Sequence, residues 1–286
     1  DADGDGVNDV IDDYPNDPTK AFNNYYPSKD NVATLAYEDM WPTKGDYDFN
    51  DLVVDYNFNQ VSNGSNKVVE VNAALTIRAI GAAFKNAFSL QFNTNPANVK
   101  SVTGQSLNNG VFALNSNGTE INQALAVVPI FDDPFKVLNS TRSLVNTSLG
   151  GSYIAPKTMN VKIEFTTPMS SSSLGTVPYN PFIVVNGIRG REIHLAASAP
   201  TDLVDKSMFG TGDDDTNLAT QKYYMSDTSL PWAINTPVQF AYPAEREDIR
   251  KGFNFFNNWS ESRGSNYKDW YIDNSGYRNI SKLYKR

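Results

Sequence analysis

The first twelve residues, Asp1-Ala2-Asp3-Gly4-Asp5-Gly6-Val7-Asn8-Asp9-Val10-Ile11-Asp12, place short carboxylates in the spacing of a calcium-binding loop. Acids stand at positions one, three, five, nine and twelve, Gly6 sits at the sharp turn, and the Val7 carbonyl is free to point inward. A hard divalent cation takes about six to eight oxygen ligands, and short acids on alternate residues can converge on one point while the backbone wraps around it. The expected ligands are therefore Asp1, Asp3, Asp5, Val7, Asp9 and Asp12, and the expected ion is calcium. The competing reading is a solvated acidic tail.

A second acidic constellation follows in Tyr37-Glu38-Asp39-Met40-Trp41-Pro42-Thr43-Lys44-Gly45-Asp46-Tyr47-Asp48-Phe49-Asn50-Asp51. If this segment is extended from Asp46 to Asn50, then Asp46, Asp48 and Asn50 share one face while Tyr47, Phe49 and Asp51 share the other. Three oxygen-bearing side chains on one short face make a second cation site, which Glu38 or Asp39 could close when the turn at 42–45 brings them back. Without a cation, repulsion among Asp46, Asp48, Asp51 and Asp55 would oppose packing of the aromatic residues between them. The competing reading is that these acids cap turns around a hairpin. Charge is distributed accordingly: residues 1–55 carry 14 Asp/Glu against 3 Lys, and the rest of the chain carries 18 against 21 Lys/Arg, for a total of −8. Bound cations would largely neutralise the acidic segment.

Around the second constellation the sequence resembles a known family. The strings Tyr37-Glu38-Asp39-Met40-Trp41-Pro42 and Gly45-Asp46-Tyr47-Asp48-Phe49-Asn50-Asp51-Leu52-Val53-Val54-Asp55-Tyr56 look like the signature of the LruC-type domains of bacterial surface and exported proteins. Further matches are Asn180-Pro181-Phe182-Ile183-Val184-Val185-Asn186, Arg189-Gly190-Arg191-Glu192-Ile193-His194-Leu195, Phe209-Gly210-Thr211-Gly212-Asp213-Asp214 and Leu230-Pro231-Trp232-Ala233-Ile234. The resemblance spans residues 33–271 and implies an exported domain, implies no enzymatic activity, and leaves Asp46, Asp48, Asn50 and Asp51 carrying whatever metal role the family has. The first twenty or so residues, running on through Asp12-Asp13-Tyr14-Pro15-Asn16-Asp17-Pro18, are similar to thrombospondin type 3 and dockerin-like repeats, in which Asp13 or Asp17 could complete the shell. Position twelve departs from an EF-hand, which has Glu there. The expected organisation is a calcium-binding repeat and linker over 1–22, followed by one domain over 33–286.

The elements that must hold these residues are strands. Apolar or alternating stretches at 52–58, 67–79, 87–92, 124–130, 158–165 and 182–185 recur between turn-rich spacers. Asn63-Gly64, Asn109-Gly110, Asn117-Gly118 and Gly150-Gly151 mark tight turns. The fold class is mostly β, an antiparallel β-sandwich that could be jelly-roll-like, with the N-terminal calcium loop and at least one C-terminal helix. Val69, Val71, Ala73, Leu75 and Ile77 are expected on the buried face of one strand. The helix is expected to start at Glu245-Arg246-Glu247-Asp248 and to dock through Ile249, Phe253, Phe256 and Trp259.

Other chemistry-bearing residues are weaker candidates. His194 is the single histidine; with Glu192 on the same strand face, it reads as part of an ion-pair cluster rather than as a general base. Glu192 could ligate a metal if its strand approaches the 46–51 loop. Asp213 and Asp214, in a glycine-rich loop, could form a third cation site. Cysteine is absent, which excludes thiol chemistry, and no apolar run is long enough to span a bilayer. Nucleic-acid binding is not expected, because no basic stripe with interleaved aromatics occurs. The expected role is a calcium-binding protein at the extracellular or outer-membrane surface of a bacterium, from which a signal or lipid anchor has been removed. Its partner would be a protein or a glycan. The alternatives are a carbohydrate-binding module, with Trp41, Trp232, Trp259 and Trp270 as stacking residues, and a carbohydrate-active hydrolase.

Overall fold

Apolar residues at every second position build the centre of the molecule. In the computed structural model, which describes residues 1–286, Leu52, Val54, Tyr56 and Phe58 enter the main core, while Val53 turns to the opposite face of the same strand. The strands in chain order are β1 (Phe22–Tyr26), β2 (Ala33–Tyr37), β3 (Leu52–Ser62), β4 (Val68–Ala79), β5 (Ala87–Phe92), β6 (Val99–Thr103), β7 (Ala126–Phe131), β8 (Lys157–Met169), β9 (Asn180–Val184), β10 (Glu192–His194) and β11 (Ala233–Thr236). Short helices α1 (Pro134–Leu138), α2 (Ser171–Leu174), α3 (Ile249–Gly252) and α4 (Phe256–Glu261) lie between and after them. No helix is long and apolar enough to cross a membrane.

One sheet runs in the order β11-β2-β3-β4-β8-β6, and the other runs β10-β9-β5-β7. Every strand pairing is antiparallel. The first half of β3 pairs with β2 and its second half with β1, so β1 carries the N-terminal region onto the large sheet. Side chains from both sheets, among them Tyr37, Tyr56, Phe88 and Phe131, meet in the main core of an antiparallel sandwich, as the sequence pattern predicts.

All six stretches singled out in the sequence form strands, within a few residues at each end. The alternation in β4 holds from Val71 to Ile77, but Val69 is only half-buried. A register shift between Val68 and Glu70 brings Val68 inward instead. At the bulge the Glu70 carboxylate meets Lys20 (3.1 Å) and Lys162 (3.4 Å).

The far face of the large sheet is also covered. Ala36, Val53, Ala79 and Ile234 point outward into a second apolar cluster with Tyr47, Phe49, Phe240, Ile249, Phe253, Phe256 and Trp270. The expected apolar stripe therefore docks, but on two short helices rather than one. The chain breaks at Phe253, which is extended (φ −133°) and bridges to Arg278. Asp248 caps α3 by accepting from Arg250 N (2.8 Å), so the helix begins at Ile249 and Glu245 is left outside it.

Candidate cation-binding centre

Glu38 follows directly on β2, and its amide continues the ladder by donating to Trp232 O (2.9 Å). That register drives its side chain into the protein, where it is 0% exposed. Glu38 Oε1 accepts from Phe49 N (2.6 Å), while Oε2 is buried and has no hydrogen-bond partner. Carboxylate oxygens of Glu38, Asp46 and Asp48 lie within 4.8 Å of one another.

The 46–50 segment reaches this arrangement by a route other than the extended one expected. Tyr47 (φ 60°) and Phe49 (φ 53°) are left-handed, which costs on the order of 1 kcal/mol each. Their rings drive the departure: they pack against each other at 4.9 Å and against Phe256 at 6.1 and 5.8 Å in the outer apolar cluster. Tyr47 O accepts from Ile249 N (2.8 Å). With both rings on one side, Asp46 and Asp48 turn to the other, so that part of the predicted division survives on a different backbone, whereas Asp51, expected on the ring side, lies among the acids beside Glu38 and Asp39.

Asn50 and Asp51 fan out from this trio. Asn50 Nδ2 donates to Pro243 O (3.3 Å), and its Oδ1 is buried without a partner. Asp51 Oδ2 accepts from Asp39 N (2.7 Å), and Asp39 Oδ2 accepts from Asn86 Nδ2 (2.7 Å). Asp39 and Asp51 thus brace the site from behind. Glu245 was not among the ligands read from the sequence, yet Arg246 N donates to Asp48 Oδ2 (2.7 Å), and Glu245 Oε2 is buried without a partner. Nothing in local spacing links positions so far apart in the chain.

The electrostatics follow from crowding like charges away from water. Burial, and then Asp51, Asp48 and Asp46, push the Glu38 carboxyl well above its ordinary range. Burial and Asp46 hold Asp48 up to about 8. Asp51 is raised by burial and Asp39, and Glu245 by burial and Asp46. Such a cluster must either keep protons or take up a cation, and its oxygen-only donors suit a hard one.

The N-terminal loop forms a second cluster. Oxygens of Asp1, Asp3 and Asp5 lie within 4.8 Å of one another. Asp3 accepts from Asp5 N (3.2 Å), Asp5 from Val7 N (2.7 Å) and Asp12 from Tyr14 N (2.7 Å), each through Oδ1. In all three the Oδ2 atom is buried and unpartnered. Gly6 is left-handed (φ 91°), as the sharp turn requires. Val7 is buried against the β3–β4 turn, where a Cβ on Gly64 would lie 3.0 Å from its Cγ2. Asp9 stands outside the trio, with its Oδ1 accepting from Ala2 N (2.8 Å) and pairing with the N-terminal ammonium of Asp1 (2.9 Å). Asp13 accepts from Asn23 N (2.8 Å) and Asp17 from Thr19 N (3.1 Å), so both fasten local backbone.

The weaker candidates are engaged elsewhere. Asp213 accepts from Lys44 N (3.0 Å), and Asp214 caps its own turn through Gly210 N (3.0 Å) and Thr216 N (3.2 Å). Glu192 lies in a separate buried network. It pairs with Arg189, receives Thr201 N (2.9 Å) and meets His194 Nε2 at 2.9 Å, while Arg189 also grips Glu120 (2.6 Å). Burial opposes ionisation of Glu192, but the hydrogen bond to His194 and the charges of His194 and Arg189 hold it at about 2. His194 is fully buried and stacks between Phe182 (4.5 Å) and Tyr224 (5.1 Å).

Comparison with known proteins adds a family and a fold. A protein-family model described as "Domain of unknown function (DUF4842)" matches residues 66–271. No curated protein matches the chain. A crystal structure described as a "Putative lipoprotein from Bacteroides ovatus" is similar with a TM-score of 0.64 at 18% identity, covering 92% of this chain and 76% of that one. At that identity the likeness is one of fold.

Proposed function

The chain belongs to the DUF4842 family of domains of unknown function, and from that premise we propose that it is an exported bacterial surface domain whose loops are ordered by bound calcium. Its role in this reading is adhesion or ligand binding without catalysis, in a domain of the LruC type. The metal is structural: it removes repulsion among buried acids and fixes the loops that carry them. One observation carries the assignment, namely that Glu38 is fully buried with Oε2 unpaired beside Asp46 and Asp48. An unpaired buried carboxylate oxygen is costly, and a cation bound to it removes that cost. Asp1, Asp3 and Asp5, whose carboxylate oxygens converge, supply a second site in the N-terminal loop. A surface location is supported by the lipoprotein description of the similar fold.

A hydrolase would need two carboxylates facing a substrate cleft about 5–10 Å apart, whereas Glu38 and Asp48 are buried side by side. His194 is fully buried between aromatic rings, which speaks against a general base there. A crystal structure of the calcium-loaded protein tests the assignment. It should place an ion among Glu38, Asp46 and Asp48 with oxygen contacts of about 2.3–2.6 Å. Contacts of about 2.0–2.1 Å would reassign the ion to magnesium, and no ion at saturating calcium would overturn the site.

A further inference from the structure

A cavity of about 580 Å³ opens where the edge strand β11, the 195–197 segment, the 220–231 loop and α4 meet. Its volume is that of a small-molecule site, about 300–1,000 Å³. Lys222 and Arg263 stand in its wall, and no Asp or Glu does, although acids outnumber bases in the chain by 32 to 24. Lys222 pairs with Asp215, while the Arg263 guanidinium meets only Ser229 Oγ, at 3.4 Å. Trp41, Trp232 and Trp270 are at most 2% exposed, so the half-buried Trp259 in this wall is the indole accessible to a ligand. Gly264, left-handed (φ 80°), lies at the indole edge beside Trp259 Nε1.

The wall is built and held. Ala197, Gln221, Ser229 and Arg263 all line the cavity, and all four are left-handed, out of fifteen such non-glycine residues in the whole chain. That concentration marks a place where the fold maintains strained backbone, as ligand sites do. Ser260 Oγ donates to Ser229 O (2.6 Å), tying α4 to the opposite wall. Trp232 O accepts from Glu38 N, which sets the ladder phase so that Ala233 and Asn235 direct their backbone N–H and C=O away from β2. Both residues line the cavity, and β11 is the edge of its sheet.

We propose that this cavity binds an acidic saccharide, with Trp259 stacking on a sugar ring, Arg263 and Lys222 receiving its carboxylate, and the free edge of β11 bonding its hydroxyls. An aromatic face beside cations and amide groups matches a uronic-acid ring in shape and charge. The inference deepens the ligand-binding part of the proposed function. It shares no residue with the cation sites, so calcium uptake without saccharide binding overturns this inference alone.

Calorimetry and tryptophan fluorescence with trigalacturonic acid, set against a neutral galactose trisaccharide, test it in saturating calcium and again in chelator. The acidic trimer should bind at least about tenfold more tightly than the neutral one and shift the indole emission. Arg263→Ala should weaken it about tenfold, and Trp259→Phe should weaken it without unfolding the protein, as checked by thermal melting. Lys157→Ala, an exposed substitution on β8, should change nothing. Equal affinity for both trimers, binding unaltered in the Arg263 and Trp259 variants, binding seen only in calcium, or no binding at all would each overturn the proposal.

Discussion

Glu38 concentrates the physical problem of this protein in one side chain. Its Oε1 accepts from Phe49 N and shapes the loop, and its Oε2 is left for a ligand. Glu38→Gln can keep the first role while removing the charge, so the sign of its effect should depend on calcium. In chelator the variant should be at least as stable as the parent, because repulsion is relieved. In calcium it should lose about 1–3 kcal/mol of the ion's stabilisation. Thermal melts under both conditions decide, and equal losses in both would mean a packing role only. pH separates two kinds of acid here. Asp48 is raised from 3.8 to about 8, so its folded form favours the proton. The stability it contributes to the cation-free protein is present below 3.8 and is lost as pH rises towards 8. Calcium should restore it and release protons on binding. Glu192 is lowered from 4.5 to about 2, so its contribution is present above 4.5 and is lost as pH falls to 2. Urea unfolding from pH 2 to pH 9, with and without calcium, should show a calcium-independent acid limb and a neutral limb that calcium abolishes.

At the scale of elements, the 46–51 loop shows what sequence could and could not say. The alternation of Asp46 and Asp48 with Tyr47 and Phe49 was legible, because apolar rings and carboxylates must part company. The left-handed backbone was not, because it depends on Phe256 and Ile249, which belong to the C-terminal segment. Glu245 escaped for the same reason: as one acid in Glu245-Arg246-Glu247-Asp248 it reads as a helix-start charge, and only Asp248 takes that role. β1, β2, β6 and β11 were not singled out: each is five residues or shorter, so periodicity is weak, and none has the unbroken Phe182-Ile183-Val184-Val185 run that marked the equally short β9. One close approach holds the loop to the segment just after β4. Gly81 N donates to Asn50 O (2.8 Å), and a Cβ on Gly81 would lie 1.7 Å from Asn50 Oδ1. Gly81→Ala should therefore displace Asn50, cost about 1–3 kcal/mol and weaken calcium binding at the inner site. Unchanged melting and affinity would show that the loop is positioned without this contact.

For the whole molecule, the sandwich is a frame around which two acid clusters are hung. The N-terminal cluster was the more legible one, because all its candidate ligands lie within a dozen consecutive residues. It reaches the sheet through Val7 against Gly64 and through Ala21 N donating to Ser62 O (2.7 Å), contacts that fix it to the β3–β4 turn. The inner cluster is built from Glu38, just after β2, and the 46–51 loop, and Arg246 N of the 243–246 segment donates to Asp48, so its ion would tie the C-terminal cover to the sheet. Chelation should therefore expose residues 1–20 to protease first, with the sandwich resisting; simultaneous cleavage throughout would contradict independent sites. The most direct test is calorimetric titration of calcium into chelator-treated protein, paired with melting temperature. The account predicts heat at two sites, proton release, and a rise in melting temperature of several degrees at about a hundredfold excess over Kd. No heat and no change in melting temperature would contradict it.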